Sequence, residues 1–233
     1  LELGGKAPLV VLDDADLDAA VAAAAFSAYM NQGQICMSTE RIVVVDAIAD
    51  QFVEKFAAKV ASLTAGDPLE AAHPLGSLVN TAAAERVEGL IEDAVAKGAT
   101  LIAGGGEGTI LNAAALDRVT PQMRIYSEES FGPVAAIIRA SDTDEAVRIA
   151  NDTEFGLSAA VFGRDTARAM AVAQRIESGI CHVNGPTVHD EAQMPFGGVK
   201  DSGYGRFGGV WSVAEFTELR WITVQDGPLH YPI

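Results

Sequence analysis

Short runs of apolar, often β-branched residues alternate along this chain with longer segments whose apolar residues recur at helical spacing. The predicted strands span residues 9–12, 41–45, 100–103, 134–139, 158–162, 180–183 and 216–224, and the predicted helices span 16–30, 50–63, 81–97, 142–151 and 165–178. Strands that alternate with helices form parallel sheets with helices on both faces. The sequence therefore predicts an α/β domain over residues 1–215 with a mostly parallel sheet, followed by a C-terminal strand and tail over 216–233.

Charge and composition exclude several classes of partner. The net charge of −16 disfavours nucleic acid and anionic membrane surfaces, both of which need a basic face. Residues 19–30 form the longest run of small apolar residues, which is shorter than the ~20 residues that cross a bilayer. Two cysteines make no disulfide framework, and no Cys/His cluster has metal-ligand spacing, so we expect a cytoplasmic enzyme without a metal.

Cys36 lies in a polar stretch between a predicted helix and a predicted strand, and Glu2 lies 36 − 2 = 34 positions upstream. A thiol can add to a carbonyl carbon, and a carboxylate can activate water against the resulting thioester. A cysteine by itself is more often a packing residue. Cys181 fits that description, since its neighbours in the strand are apolar. His182 and His189 could serve as bases for Cys36 in a hydrolase, but no flanking motif supports that alternative.

Four separated segments carry a family resemblance. They are Glu-Leu-Gly-Gly-Lys at residues 2–6, Gln-Gly-Gln-Ile-Cys with its arginine at 32–41, Glu-Glu-Ser-Phe-Gly-Pro-Val at 128–134, and the glycine-rich stretch at 184–203. Together they resemble the catalytic half of NAD(P)-dependent aldehyde dehydrogenases. The resemblance implies oxidation of an aldehyde with NAD or NADP, with Cys36 as the nucleophile and Glu2 as the general base.

The resemblance also implies two sets of binding residues: Leu3, Gly4, Glu129 and Phe131 for the cofactor, and Ile35, Met37 and Phe196 for the substrate pocket. In this pattern Glu129 accepts hydrogen bonds from the nicotinamide ribose, a reasonable role for a carboxylate facing two hydroxyls. Residues 36–41 and 185–196 are similar to those of salicylaldehyde, benzaldehyde and vanillin dehydrogenases. An aromatic aldehyde, with salicylaldehyde first, is the predicted substrate, although similar rings differ by only ~1–3 kcal/mol in an apolar tunnel.

Family members of this kind are longer and carry an N-terminal dinucleotide-binding domain. Because the chain begins inside the first motif, we expect that domain, and one asparagine donor to the oxyanion, to be absent from these 233 residues. Three functions therefore stay open: the dehydrogenase, a cofactor-free thiol esterase that uses Cys36, and a non-catalytic oligomerisation module.

The alternating pattern at 216–224 predicts a strand near the C-terminus. In the family such a strand extends the sheet of a neighbouring subunit, by main-chain pairing at an exposed edge. A homo-oligomer is the expectation, and a strand folded back on its own sheet is the alternative.

Overall fold

The computed structural model describes residues 1–70 and 72–233. Its strands are β1 (Ala7–Val11), β2 (Thr39–Val45), β3 (Thr100–Ala103), β4 (Gly106–Glu107), β5 (Ile110–Leu111), β6 (Ala114–Asp117), β7 (Val134–Ala140), β8 (Phe155–Gly156), β9 (Ser158–Phe162), β10 (Ile180–Val183) and β11 (Val199–Lys200). Its α-helices are α1 (Leu17–Tyr29), α2 (Asp46–Ala61), α3 (Thr81–Ala96), α4 (Thr143–Asn151), α5 (Thr166–Ala173) and α6 (Gly209–Glu215), with short 3-10 helices at Met30–Gly33 and Arg124–Tyr126.

The central sheet has seven strands in the order β10–β9–β1–β2–β7–β6–β3. All neighbouring pairs are parallel except β3 and β6. Helices α1 and α2 pack on one face, and α3, α4 and α5 pack on the other. The central strands are buried on both faces, as a parallel sheet between two helical layers requires. The predicted fold class is therefore confirmed.

Acidic side chains fix where two of these helices begin. The Asp16 carboxylate accepts hydrogen bonds from the first turn of α1, and Asp165 does the same for α5. Such caps satisfy backbone N–H groups that have no partner within the helix. Each capping aspartate lies a few residues after the end of a strand, so that the helix begins directly after a short turn and packs back against the sheet. None of the described helices has the length and apolar character needed to traverse a bilayer.

Strand β6 was not predicted from the sequence. Its residues, Ala-Ala-Leu-Asp, lack the β-branched and aromatic side chains that mark strands. It forms because it fills the position between β3 and β7, where tertiary pairing outweighs its local preference.

The strand predicted at 216–224 does not form within the single chain, and its pairing with a neighbouring subunit stays a prediction. After α6 ends at Glu215, the tail has no regular secondary structure, and Phe216 and Trp221 are 89% and 90% exposed. The alternative, in which this segment pairs with the chain's own sheet, is wrong, because neither β10 nor β3, the two edge strands, pairs with it. A strand needs the backbone of a partner, and none reaches this segment. The assignment of 216–233 as a separate C-terminal unit stays a prediction.

Candidate active site

A tight reversal of the backbone presents Cys36 just before β2. Asn31 and Gln32 adopt left-handed conformations (φ 51° and 57°), and Gly33 follows with φ 69°. A Cβ on Gly33 would lie 2.2 Å from the Gly132 carbonyl oxygen, so only glycine fits there. The next turn closes at residues 35–38, and the thiol is half-buried within it.

The N-terminal segment that carries Glu2 runs beside this cysteine loop. Leu3 N–H donates to the Ser202 carbonyl oxygen over 3.0 Å, which holds the segment against the glycine-rich stretch. A Cβ on Gly5 would lie 2.4 Å from the Cys36 carbonyl oxygen, so the two backbones are in direct contact there. The structure thus brings together the two residues that the sequence places 34 positions apart, with Glu2 itself exposed.

The surroundings of the Cys36 side chain disfavour its thiolate form. Burial, and after it the neighbouring Glu2 carboxylate, raise the pKa of Cys36 to about 12. The backbone N–H groups of Cys36 and Met37 lower its pKa, but burial and Glu2 outweigh them. Those N–H groups are available to stabilise negative charge that develops at this position.

Three side chains predicted for the substrate pocket gather around Cys36. Met37 and Phe196 are buried in one small apolar cluster, and Ile35 packs against it. The cluster also includes Leu157, Ile180 and Val188, which the sequence analysis missed. As isolated apolar residues they carry no sequence signal that separates them from ordinary core residues. The result is an apolar wall next to the thiol.

Thr187 connects this apolar wall to the cysteine loop by hydrogen bonds, and the sequence did not predict this role. Its fully buried hydroxyl donates to the Met37 carbonyl oxygen over 2.7 Å and lies 2.8 Å from the Thr39 hydroxyl. Its own carbonyl oxygen accepts from the Ser158 hydroxyl at the start of β9. Val188 is therefore held beside Cys36 by hydrogen bonds on its N-terminal side.

Of the residues predicted to bind cofactor, Leu3 and Gly4 belong to the N-terminal segment and Glu129 packs against it. Glu129 is half-buried, and one of its carboxylate oxygens accepts from Gly5 N–H over 2.9 Å. Burial raises the pKa of Glu129. Gly4 has φ 102°, and a Cβ there would lie 3.0 Å from that carboxylate. Leu3 is exposed and Phe131 half-buried, with φ 46°.

This arrangement fits a nicotinamide riboside. The Glu129 carboxylate can accept from the two ribose hydroxyls, and the absence of a side chain at Gly4 lets that carboxylate lie directly against the backbone. Among residues 1–70 and 72–233, no group of three His, Cys, Asp or Glu side chains is placed to hold a metal ion.

The second cysteine and the two histidines form a different group. Cys181, His182 and His189 line a cavity of about 460 Å³, and the two imidazole rings are 5.2 Å apart. Burial raises the pKa of Cys181 to about 11. Neither histidine hydrogen-bonds to Cys36 in the described part of the chain, so the geometry gives no support to a cysteine–histidine hydrolase.

Arg41, the arginine that ends the cysteine motif, has a structural role at the end of α4. The fully buried Arg41 guanidinium donates to the carbonyl oxygens of Ile149, Ala150 and Asp152 over 3.0, 2.9 and 3.1 Å. These carbonyls end α4, where a cation is favourable and where free acceptors need partners. Arg41 thereby anchors the strand that follows Cys36 to the helical layer.

Comparisons with known proteins agree with this geometry. The model of the aldehyde dehydrogenase family matches residues 1–222. Vanillin dehydrogenase of Pseudomonas sp. strain HR199 is 64% identical, and salicylaldehyde dehydrogenase of Pseudomonas putida is 52% identical; each alignment covers 100% of this chain and 48% of the relative. A crystal structure of a salicylaldehyde dehydrogenase from Pseudomonas putida G7, complexed with salicylaldehyde, matches with a TM-score of 0.97 at 51% identity, covering 100% of this chain and 49% of that chain. The chain spans about half the length of the curated relatives it matches. It belongs to the aldehyde dehydrogenase family.

Proposed function

We propose that the protein containing this chain oxidises an aromatic aldehyde to its carboxylate, with NAD or NADP, through covalent catalysis at Cys36. The observation that carries the proposal is the convergence at one thiol of three features. These are the Glu2 carboxylate, an apolar wall and, across Gly5, the Glu129 carboxylate. Relatives named for vanillin, salicylaldehyde and benzaldehyde support the aromatic substrate.

The reaction begins as the Cys36 thiol passes its proton through the neighbouring Glu2 carboxylate to solvent and the thiolate adds to the aldehyde carbon. The C–S bond forms as the carbonyl π pair moves to oxygen, and the Cys36 backbone N–H stabilises the oxyanion. Glu129 and Gly4, with Leu3 and Phe131, would hold NAD(P), which would accept the hydride as the C–H bond of the thiohemiacetal carbon breaks and the oxyanion pair re-forms the carbonyl. The thioester left on Cys36 is then attacked by water that Glu2 deprotonates, which releases the carboxylate and restores the thiol.

The apolar cluster favours a ring in the substrate. Ile35, Met37 and Phe196, with Leu157 and Val188, offer no charged group near the thiol. Salicylaldehyde and vanillin differ in ring substituents, and an apolar pocket separates such differences by only ~1–3 kcal/mol. We propose that both are accepted, and that the ratio of their kcat/KM values is modest.

The test is the appearance of reduced nicotinamide with salicylaldehyde, vanillin and a linear aldehyde of equal carbon number, using NAD and NADP separately. Cys36→Ala should abolish the signal, whereas the matched Cys181→Ala should retain it within about threefold, since Cys181 is outside the apolar cluster around Cys36 and the change removes a single sulfur atom. A preference for the linear aldehyde would refute the aromatic assignment. Ester hydrolysis at Cys36 without any aldehyde oxidation would assign the cofactor-free thiol esterase instead.

We also propose that residues 216–233 join this chain to a second copy. Large apolar side chains along the tail are exposed, including Phe216 and Trp221, and exposed apolar patches favour association. Light scattering on the whole chain should give a dimer or larger, and truncation after Glu215 should reduce it to a monomer. A monomeric intact chain would contradict this.

Because the proposed chemistry needs a free thiol, we place the protein in the reducing cytoplasm.

A further inference from the structure

A buried ion pair lies behind the candidate site and is not part of the proposed chemistry. Lys6 and Glu40 have side chains that are 0% and 4% exposed, and their charged atoms are 2.6 Å apart. The Glu40 carboxylate accepts two further hydrogen bonds, from Ser130 N–H over 2.7 Å and from Phe131 N–H over 2.9 Å. Lys6 also donates to the Ser130 hydroxyl over 3.2 Å. Every donor that faces this carboxylate therefore comes from a segment of the site.

One carboxylate joins three segments that are far apart in the sequence. Glu40 lies four residues after Cys36, Lys6 lies four residues after Glu2, and Ser130 directly follows Glu129. Burial lowers the pKa of Lys6, and Glu40 opposes that effect. The pair can exist in the core only because the two charges and the backbone donors satisfy each other.

The turn that Glu40 holds has an unfavourable backbone conformation. Phe131 has φ 46°, a left-handed conformation that L-residues with large side chains rarely adopt. Strained residues persist only when their surroundings hold them. The two backbone N–H groups bound by Glu40 are those of Phe131 and of the residue before it, so the restraint acts at the strained position itself.

The direction of the Glu129 side chain depends on the same turn. Glu129 precedes Ser130, and its carboxylate reaches Gly5 N–H, one residue before Lys6. The turn and the N-terminal segment are thus linked twice, once through Glu129 at the surface of the site and once through the buried pair. Release of the buried link would leave Glu129 and Phe131 free to move relative to Gly4.

We propose that Glu40 is a positioning residue, which acts through the backbone of Ser130 and Phe131 to hold Glu129 and Phe131 in place for the nicotinamide riboside. This inference rests on the proposed function for its kinetic consequence. Its structural core, that Glu40 restrains the turn, can be tested without any activity.

The first experiment measures amide hydrogen exchange of the peptide that contains Ser130 and Phe131, in the whole chain. Glu40→Gln should lower the protection of these two amides by about tenfold or more, because Ser130 N–H and Phe131 N–H donate to different carboxylate oxygens and glutamine replaces one of these by an NH₂ group that cannot accept. The matched control is Glu54→Gln, an exposed glutamate on α2, which should leave protection unchanged. Unchanged protection in Glu40→Gln would overturn the proposal, whatever the enzyme's activity.

The second experiment separates positioning from general stability. In Glu40→Gln the KM for NAD or NADP should rise about tenfold or more, while acylation of Cys36 by p-nitrophenyl acetate should stay within about threefold, since that reaction needs no dinucleotide. Equal losses in both reactions would show a merely structural role and overturn the proposal. If instead the wild type reduces no nicotinamide, or Glu129→Gln leaves the dinucleotide KM unchanged, the proposed function fails and the exchange result alone decides the role of Glu40.

A charge-neutral variant protects the test against misfolding. Glu40→Gln leaves Lys6 charged in the core, which can destabilise the fold by itself. The double variant Lys6→Met/Glu40→Gln removes that charge and still deprives the turn of one acceptor. It should show the same loss of amide protection, and full protection in this variant would overturn the proposal.

Discussion

Glu2→Gln should make Cys36 more reactive as a thiol while it slows the enzyme. Burial, followed by the charge of Glu2, raises the pKa of Cys36 to about 12. At about pH 8, roughly 12 − 8 = 4 units lower, only ~10⁻⁴ of the molecules carry the thiolate, which is the form that reacts. Alkylation by iodoacetamide should therefore rise about tenfold per pH unit between about pH 8 and pH 11.

The glutamine variant keeps the size of the side chain and removes its charge. Each pKa unit recovered multiplies the thiolate fraction by about ten, so a one-unit recovery gives about tenfold faster alkylation near pH 8. Burial is the larger cause and remains, so the pKa of Cys36 should stay above the ordinary value of ~8.5. Because glutamine cannot accept a proton from water, thioester hydrolysis should slow in the same variant.

The assay follows the mass of the two cysteine peptides with time at several pH values. Cys181 serves as the internal reference, since burial raises its pKa to about 11 and Glu2 does not contribute. Glu54→Gln, on the exposed face of α2, should alkylate like the wild type. A rate that levels off below about pH 9, or a Glu2→Gln variant that alkylates more slowly, would refute this account of the thiol.

Three further substitutions test individual contacts. Arg41→Met should lower the free energy of unfolding by about 3 kcal/mol in urea, because it removes a charged donor from three carbonyl oxygens at the end of α4, of which that of Ile149 still accepts from Asp152 N–H; a loss below about 1 kcal/mol would contradict this role. Gly5→Ala should slow acylation of Cys36 by roughly 100-fold, since its Cβ would meet the Cys36 carbonyl oxygen at 2.4 Å. The control Gly89→Ala, a helical position with open space, should leave that rate unchanged and stabilise the fold by about 0.5–1 kcal/mol. Asp165→Ala should cost about 1 kcal/mol in thermal unfolding through loss of the α5 cap, and an unchanged melting temperature would count against the cap.

Local signals predict most of the sheet. Strands β3, β9 and β10 lie where the sequence places them, because each is a short apolar run bounded by a turn. The capping aspartates likewise locate the starts of α1 and α5. The tail at 216–224 has the pattern of a strand but not the structure, because alternation gives a strand a suitable surface and not a partner. Strand β6 shows the reverse case, in which a neighbouring strand imposes the structure on a weak local pattern.

The site divides in a similar way. Motif resemblance brings Cys36 and Glu2 into one place, and the structure agrees that they are neighbours. The Lys6–Glu40 pair and the hydroxyl of Thr187 were not predicted, since their partners are 34 and 150 residues away in the sequence. In a sequence, the lysine and glutamate of a buried ion pair cannot be told apart from two charged surface residues. The supporting contacts of a site are therefore visible only in three dimensions.

The most direct test of covalent catalysis is to look for the acyl group on the protein. The protein containing this chain, as wild type and as Glu2→Gln, would be mixed with vanillin or salicylaldehyde and NAD or NADP, quenched in acid and digested for peptide mass analysis. The account predicts an acyl adduct on the Cys36 peptide that accumulates in Glu2→Gln relative to the wild type, with Cys181 unmodified. An adduct on Cys181, or aldehyde oxidation with no acyl group on Cys36 in either protein, would contradict it.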